Sequence, residues 1–149
     1  MRLALYQPEI AGNVGAILRL SACYGIPVDI IEPCGFAFSD KRLARAGMDY
    51  AAEAEIRRHV DWPSFYAQRE GRLVLLTTAA AVRLDHARFE SDDILLMGSE
   101  SAGVPPQVHA AAALAVRIPL RPGFRSLNVG MAAGIALTEA LRQTGGLPE

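Results

Sequence analysis

Lysine is almost missing from this chain. Lys41 is the only one among 15 basic residues, and the rest are arginine. Cysteine is scarce as well: Cys23 and Cys34 form no metal-type pair and are expected as two reduced, mostly buried thiols. The three histidines, His59, His86 and His109, are scattered without ligand spacing, so the sequence predicts no metal site. No apolar run reaches the roughly 18 residues of a membrane span, and no membrane partner is expected. The start, Met1-Arg2-Leu3-Ala4-Leu5-Tyr6, lacks the long apolar stretch and cleavage site of a signal peptide and reads as a strand. A cytoplasmic location follows as an expectation. There is no GxGxxG and no lysine for a phosphate-binding loop, which excludes the usual nucleotide motifs. Repeats, low-complexity tracts and linkers are missing too.

What is present is apolar residues and alternation. Hydrophobic residues make up 51% of the 149 positions, and the mean hydropathy is +0.18, at the apolar end for a soluble protein. That suits a fully buried parallel sheet, or a subunit surface covered in an oligomer. A single domain spanning 1–149 is expected, long enough for a substantial core. The net charge of −1 gives no global pull toward nucleic acid. The arginine bias suits an RNA surface, because guanidinium pairs with phosphate bidentately and stacks on bases. A genome rich in G and C would produce the same bias.

Short, mostly apolar runs at Leu3–Tyr6, Val28–Ile31, Leu73–Thr77, Ile94–Met97 and Ala115–Ile118 read as strands covered on both faces. Between them Asn13–Tyr24, Asp40–Ala46 and Trp62–Gln68 read as helices, with Pro63 near the start of the last. Residues 79–91 form a polar connection with room for a short helical turn. A closing helix is expected over about Leu127–Arg142. The fold class is α/β, with a mostly parallel sheet flanked by helices.

Three segments sit beyond strand ends, where open sheets of this kind bind ligands. Gly12-Asn13 opens a helix that carries Arg19 further along, and Asn13 is a candidate N-cap. Gly98-Ser99-Glu100-Ser101-Ala102-Gly103 follows a strand directly, with a helix expected from Pro105. Its glycine-bounded loop lets backbone groups approach a planar ligand, and Glu100 suits an amine, a ribose hydroxyl or an arginine. In the third, Arg121-Pro122-Gly123-Phe124-Arg125-Ser126-Leu127-Asn128, Ser126 is the expected cap and Asn128 sits in the first helical turn. Gly130 and Gly134 lie one turn apart in that helix, each costing about 1 kcal/mol relative to alanine. A close packing partner, within the chain or in another subunit, is expected on that face.

In this order and spacing the three segments resemble the motifs of the SPOUT-class RNA 2′-O-ribose methyltransferases. From Leu3 to about Arg142 the chain is similar to the short branch acting on the wobble nucleotide of tRNA, the tRNA (cytidine/uridine-34) 2′-O-methyltransferases. Leu5-Tyr6-Gln7-Pro8-Glu9-Ile10, Ile31-Glu32-Pro33-Cys34-Gly35-Phe36, Asp40-Lys41-Arg42-Leu43 and Arg45-Ala46-Gly47-Met48-Asp49-Tyr50 carry the likeness to that branch. The resemblance implies a C-terminal trefoil knot, a homodimer with the active site completed at the subunit interface, and a tRNA anticodon stem-loop as substrate. It implies S-adenosylmethionine as cofactor and S-adenosylhomocysteine as product. Carried over by motif, Leu76, Gly98, Ile118, Leu120 and Ser126 would hold the cofactor. Arg19, Glu100, Ser126 and Asn128 would be catalytic or organise the site. Asn13 matches the motif asparagine on the substrate side, and Arg42, Arg45, Arg121 and Arg125 are candidate RNA contacts. Two departures stand out: relatives often carry Pro and Arg where this chain has Ser99 and Ala102, and their helix start is richer in Ser and Asn than Asn128-Val129-Gly130-Met131. The same reaction on another RNA, or a non-catalytic RNA- or adenine-nucleotide-binding protein, are the competing readings.

Overall fold

A computed structural model describes residues 1–39, 41 and 52–149. The expected helix at Asp40–Ala46, and with it Arg42 and Arg45, lies outside the described residues. Seven parallel strands form one sheet: β1 (Arg2–Tyr6), β2 (Val28–Ile31), β3 (Ile56–His59), β4 (Leu73–Leu76), β5 (Val82–Arg83), β6 (Ile94–Met97) and β7 (Leu114–Arg117). Their order across the sheet is β3-β2-β1-β6-β4-β7-β5. The helices are α1 (Ala11–Tyr24), α2 (Trp62–Gln68), α3 (Pro106–Ala111) and α4 (Val129–Thr144), with a short 3-10 turn at Leu84–His86. No helix among the described residues is long and apolar enough to cross a membrane.

The largely apolar strands are explained by burial on both faces. Alternate residues of β1 belong to different cores. Leu3 and Leu5 join Val14, Ile17 and Leu18 of α1 and Ala133, Ala136 and Leu137 of α4. Ala4 and Tyr6 face the other way, with Phe65 of α2 and Val108 of α3. A strand with helices on either side has no solvated face, so it carries no polar alternation.

Two strands escape the sequence pattern, both at sheet edges. In β3 only Ile56 is apolar, while Arg57 and Arg58 are exposed. Its pairing with β2 is reinforced by His59, whose Nε2 lies 2.8 Å from Asp29 Oδ1. The Nε–H of Arg2 donates to the other Asp29 oxygen at 2.7 Å. The buried Asp29 carboxylate thus ties the first three strands together, with a partner on each oxygen. The second missed strand, β5, has two residues. Asp93, fully buried, similarly accepts from the Arg72 guanidinium at 2.7 and 2.9 Å. One thiol also departs from expectation: Cys23 is exposed, because the buried stripe of α1 runs through Val14, Ile17, Leu18 and Ser21.

Candidate active site

The carboxyl ends of four adjacent strands, β1, β6, β4 and β7, open into a cavity of about 490 Å³. Leu75, Leu76, Val116, Ile118 and Leu120 give it apolar walls, while Thr77, Thr78, Ser99 and Ser126 contribute hydroxyls. All three motif segments reach it, through Asn13, through Gly98 to Glu100 and Gly103, and through Ser126 to Asn128.

The β6 loop is the most constrained part. Ser99 and Gly103 exchange backbone hydrogen bonds of 2.9 Å in each direction, closing a tight reversal. Gly103 holds φ +63, a backbone conformation for which glycine has no steric penalty. Gly98 is needed for a different reason. A Cβ there would lie 2.7 Å from the Gly103 Cα and 2.8 Å from its carbonyl carbon. Backbone meets backbone, and no side chain can swing aside.

Glu100, at the centre of this loop, is already engaged. One carboxylate oxygen accepts the Glu9 N–H at 2.7 Å, and the other accepts the Ile10 N–H at 3.2 Å and the Asn13 Nδ2–H at 3.2 Å. Asn13 Oδ1 in turn accepts the Asn128 Nδ2–H at 2.8 Å. Asn128 Oδ1 then accepts the N–H groups of Gly130 and Met131, at 2.9 and 3.3 Å. The direction of this relay follows from its anionic end. An ionised carboxylate only accepts, so Asn13 must turn its amide NH₂ toward Glu100 and its oxygen toward Asn128. Asn128 is left with its oxygen facing the free N–H groups of α4.

These contacts correct three expectations. Asn13 is not the N-cap of α1. The helix begins at Ala11, Ile10 occupies the cap position without a side-chain bond, and Glu100 from the neighbouring loop takes the N–H groups before the helix. Ser126 does not cap α4, and Asn128 is not within its first turn. Asn128 is itself the cap, because the helix starts at Val129, and Ser126 precedes it on the cavity wall. The Glu100 carboxylate, for its part, accepts from backbone and amide donors of this chain.

Leu76, Gly98, Ile118, Leu120 and Ser126 all line the cavity. Arg19, Arg121 and Arg125 do not: each is exposed, Arg19 on α1 and the other two on the loop between Leu120 and Ser126. Sequence reading missed Thr77 and Thr78. Thr77 was expected inside the strand, but β4 ends at Leu76, and the rule placing ligands beyond strand ends identifies both threonines. Nearby Cys34 has its thiol pushed up to about 11, first by burial and then by the Glu32 carboxylate; Glu100 adds to this and Arg58 opposes it. It stays protonated at neutral pH and is no nucleophile there.

A second, larger depression of about 1030 Å³ lies along α1 and α4, lined by Ala16, Leu20, Gly130, Met131, Gly134 and Ile135 among others. Gly130 is held close, since a Cβ on it would sit 3.5 Å from the Ala16 Cβ and 3.1 Å from Asn128 Oδ1. Gly134 is not, as its nearest neighbour would be Leu20 Cδ2 at 3.9 Å, an ordinary contact.

Residues 1–138 match the SpoU rRNA Methylase family. The chain is 54% identical over 148 residues to the tRNA (cytidine(34)-2′-O)-methyltransferase of Beijerinckia indica subsp. indica, covering 97% of this chain and 92% of that one. It is similar to a solved structure concerned with 2′-OH methylation of C/U34 on tRNA, at 39% identity and a TM-score of 0.89, over 95% of this chain and 94% of the other. An AdoMet-bound rRNA methyltransferase from Sinorhizobium meliloti gives 30% identity and a TM-score of 0.85, over 95% of this chain and 55% of that one.

Proposed function

The chain belongs to the SpoU methylase family, and we propose that it is a tRNA (cytidine/uridine-34) 2′-O-methyltransferase. The reaction moves a methyl group from S-adenosylmethionine to the ribose 2′-hydroxyl of the wobble nucleotide. The observation that carries this reading is the Glu100–Asn13–Asn128 relay, which joins all three motif segments beside a strand-end cavity. A volume of about 490 Å³ with apolar walls and a few hydroxyls suits a nucleoside bearing an amino-acid chain. Leu76, Gly98, Ile118, Leu120 and Ser126 are the residues proposed to hold it.

When bound, S-adenosylmethionine supplies an electrophilic methyl group, and the protein's work is positioning and charge. A guanidinium stays protonated in proteins and makes a poor base. Arg19 therefore serves as a clamp on the phosphate beside the target ribose, stabilising negative charge that develops on the hydroxyl oxygen. Glu100 acts through Asn13 and Asn128, fixing the loops around the cavity. Ser126 borders both the cofactor pocket and the approach of the RNA, and Arg121 and Arg125 lie beside it as RNA contacts. The family's trefoil knot belongs to the same proposal, over a single domain of 1–149, as does a cytoplasmic location, where tRNA is found.

The site is read as complete only in a homodimer. Arg19 lines no part of its own chain's cavity. Along α1 and α4, Met131 and Ile135 stay 62% and 40% exposed, in a depression whose Gly134 has no packing reason within the chain. A second copy covering this face would account for all three. Met131→Asp is expected to convert the protein to monomers in analytical ultracentrifugation; a dimer unchanged in mass and affinity would refute this interface.

Methyl transfer from labelled S-adenosylmethionine to unmodified total tRNA, with digestion to nucleosides, tests the function. A 2′-O-methylated pyrimidine from the anticodon loop is expected. Transfer only to ribosomal RNA would reassign the substrate, and cofactor binding without transfer to any RNA would leave a binding protein.

A further inference from the structure

We propose that Phe124 is a stacking platform for an unpaired nucleobase next to the methylated ribose. The inference rests on the proposed tRNA methylation and adds a residue that sets how the RNA is held. Residues 121–128 are exposed throughout, and Phe124 is 70% exposed. A single exposed phenylalanine needs no explanation by itself. Its position gives it one. The loop that carries it runs between Leu120 and Ser126, both in the cavity wall, so Phe124 stands on the rim of the site. Gly123 at φ +93 and the bond from Phe124 N–H to the Arg121 carbonyl, 3.3 Å, close a turn at this point. This turn, Arg121–Phe124 with Pro122 at its second position, sets the backbone from which the ring projects.

The chemistry of the flanks selects the occupant. Arg121 and Arg125 flank Phe124 in sequence, and both are exposed. Two cations and an apolar ring on one exposed loop suit a ligand with an anionic backbone and flat apolar faces, which describes single-stranded RNA. They disfavour an apolar subunit contact, where two buried guanidinium groups would need partners. Among the described residues no other ring or guanidinium stacks on Phe124, although Tyr6, Phe36, Phe38, His59, Trp62, Phe65 and Tyr66 all have such partners.

The test uses a synthetic anticodon stem-loop as methyl acceptor, with the full-length protein and its Phe124→Ala, Phe124→Leu and Phe124→Trp variants. Alanine and leucine are expected to raise the KM for RNA about tenfold, with kcat at saturating RNA and cofactor affinity unchanged. Tryptophan should stay within about twofold of the parent, because it keeps the π face that leucine lacks. An unchanged KM in Phe124→Ala overturns the stacking role, and so does full activity of Phe124→Leu. Loss of dimer mass in Phe124→Ala would make the ring a subunit contact instead. If the parent protein itself neither binds nor methylates the stem-loop, the proposed substrate fails and this inference with it. A methylating parent with an unaffected alanine variant removes only the inference.

Discussion

Arg19→Ala is expected to reduce methyl transfer to tRNA by at least about a hundredfold while leaving the affinity for S-adenosylmethionine nearly intact. The magnitude is that of removing one charge-stabilising group aimed at a developing oxyanion. The dissociation of effects follows from geometry. Arg19 is exposed on α1 and takes no part in the cavity walls, so truncating it removes no cofactor contact within its own chain. It also lies off the buried stripe of Val14, Ile17 and Leu18, so truncating it opens no cavity in the core. Single-turnover methylation alongside calorimetric cofactor titration separates the two effects. A large loss of cofactor binding would sink the phosphate-clamp assignment and make Arg19 part of the cofactor site. Arg19→Lys should recover only part of the rate, since an ammonium keeps the charge and loses the bidentate fork.

Gly98→Ala reverses that signature. Adding one methyl group places it 2.7 Å from the Gly103 Cα and 3.1 Å from its carbonyl oxygen, so the reversal at Ser99–Gly103 must open. Opening it displaces Glu100, and with Glu100 the N–H groups of Glu9 and Ile10 and the amide of Asn13 lose their acceptor. Cofactor affinity is expected to fall by more than tenfold, with a loss of stability of about 1–3 kcal/mol from the forced backbone shift. Equilibrium denaturation and cofactor titration on the same preparation measure both. Parent-like affinity in this variant would mean that the loop relaxes elsewhere and does not shape the pocket. Gly103→Ala makes a useful companion, because nothing lies near its Cβ and only its φ of +63 resists the change. A milder loss of both quantities is expected there.

Much of the fold was legible because burial on both faces leaves a crude signature. Val28–Ile31 and Ile94–Met97 form strands over the very residues that their apolar runs suggest. Trp62–Gln68 begins and ends as expected, with Asp61 capping it and Pro63 in its first turn. The edge strands were illegible for the complementary reason. Ile56–His59 owes its conformation to backbone pairing with β2 and to the Asp29 carboxylate, neither of which leaves a pattern in its own four residues.

The site divided in the same way. Its location could be read, because strand ends, glycines and polar residues coincide in sequence at the three segments. Its wiring could not. Local rules assign Asn13 and Ser126 to capping, since those rules consider only neighbours along the chain. Asn13 is instead claimed by Glu100, 87 positions away, and by Asn128, 115 positions away. Once Asn128 is drawn toward Asn13, it takes over the cap of α4, leaving Ser126 on the cavity wall.

Those separations also set the moment at which the protein can begin to act. Asn13 and Glu100 are both synthesised before Asn128, yet the relay has no terminus until Asn128 and the helix it caps are in place. A nascent chain that ends before Asn128 can therefore join only the first two motif segments, through Glu100 and Asn13. On the proposed function, a newly made copy is expected to be inert toward tRNA until the last helix has docked.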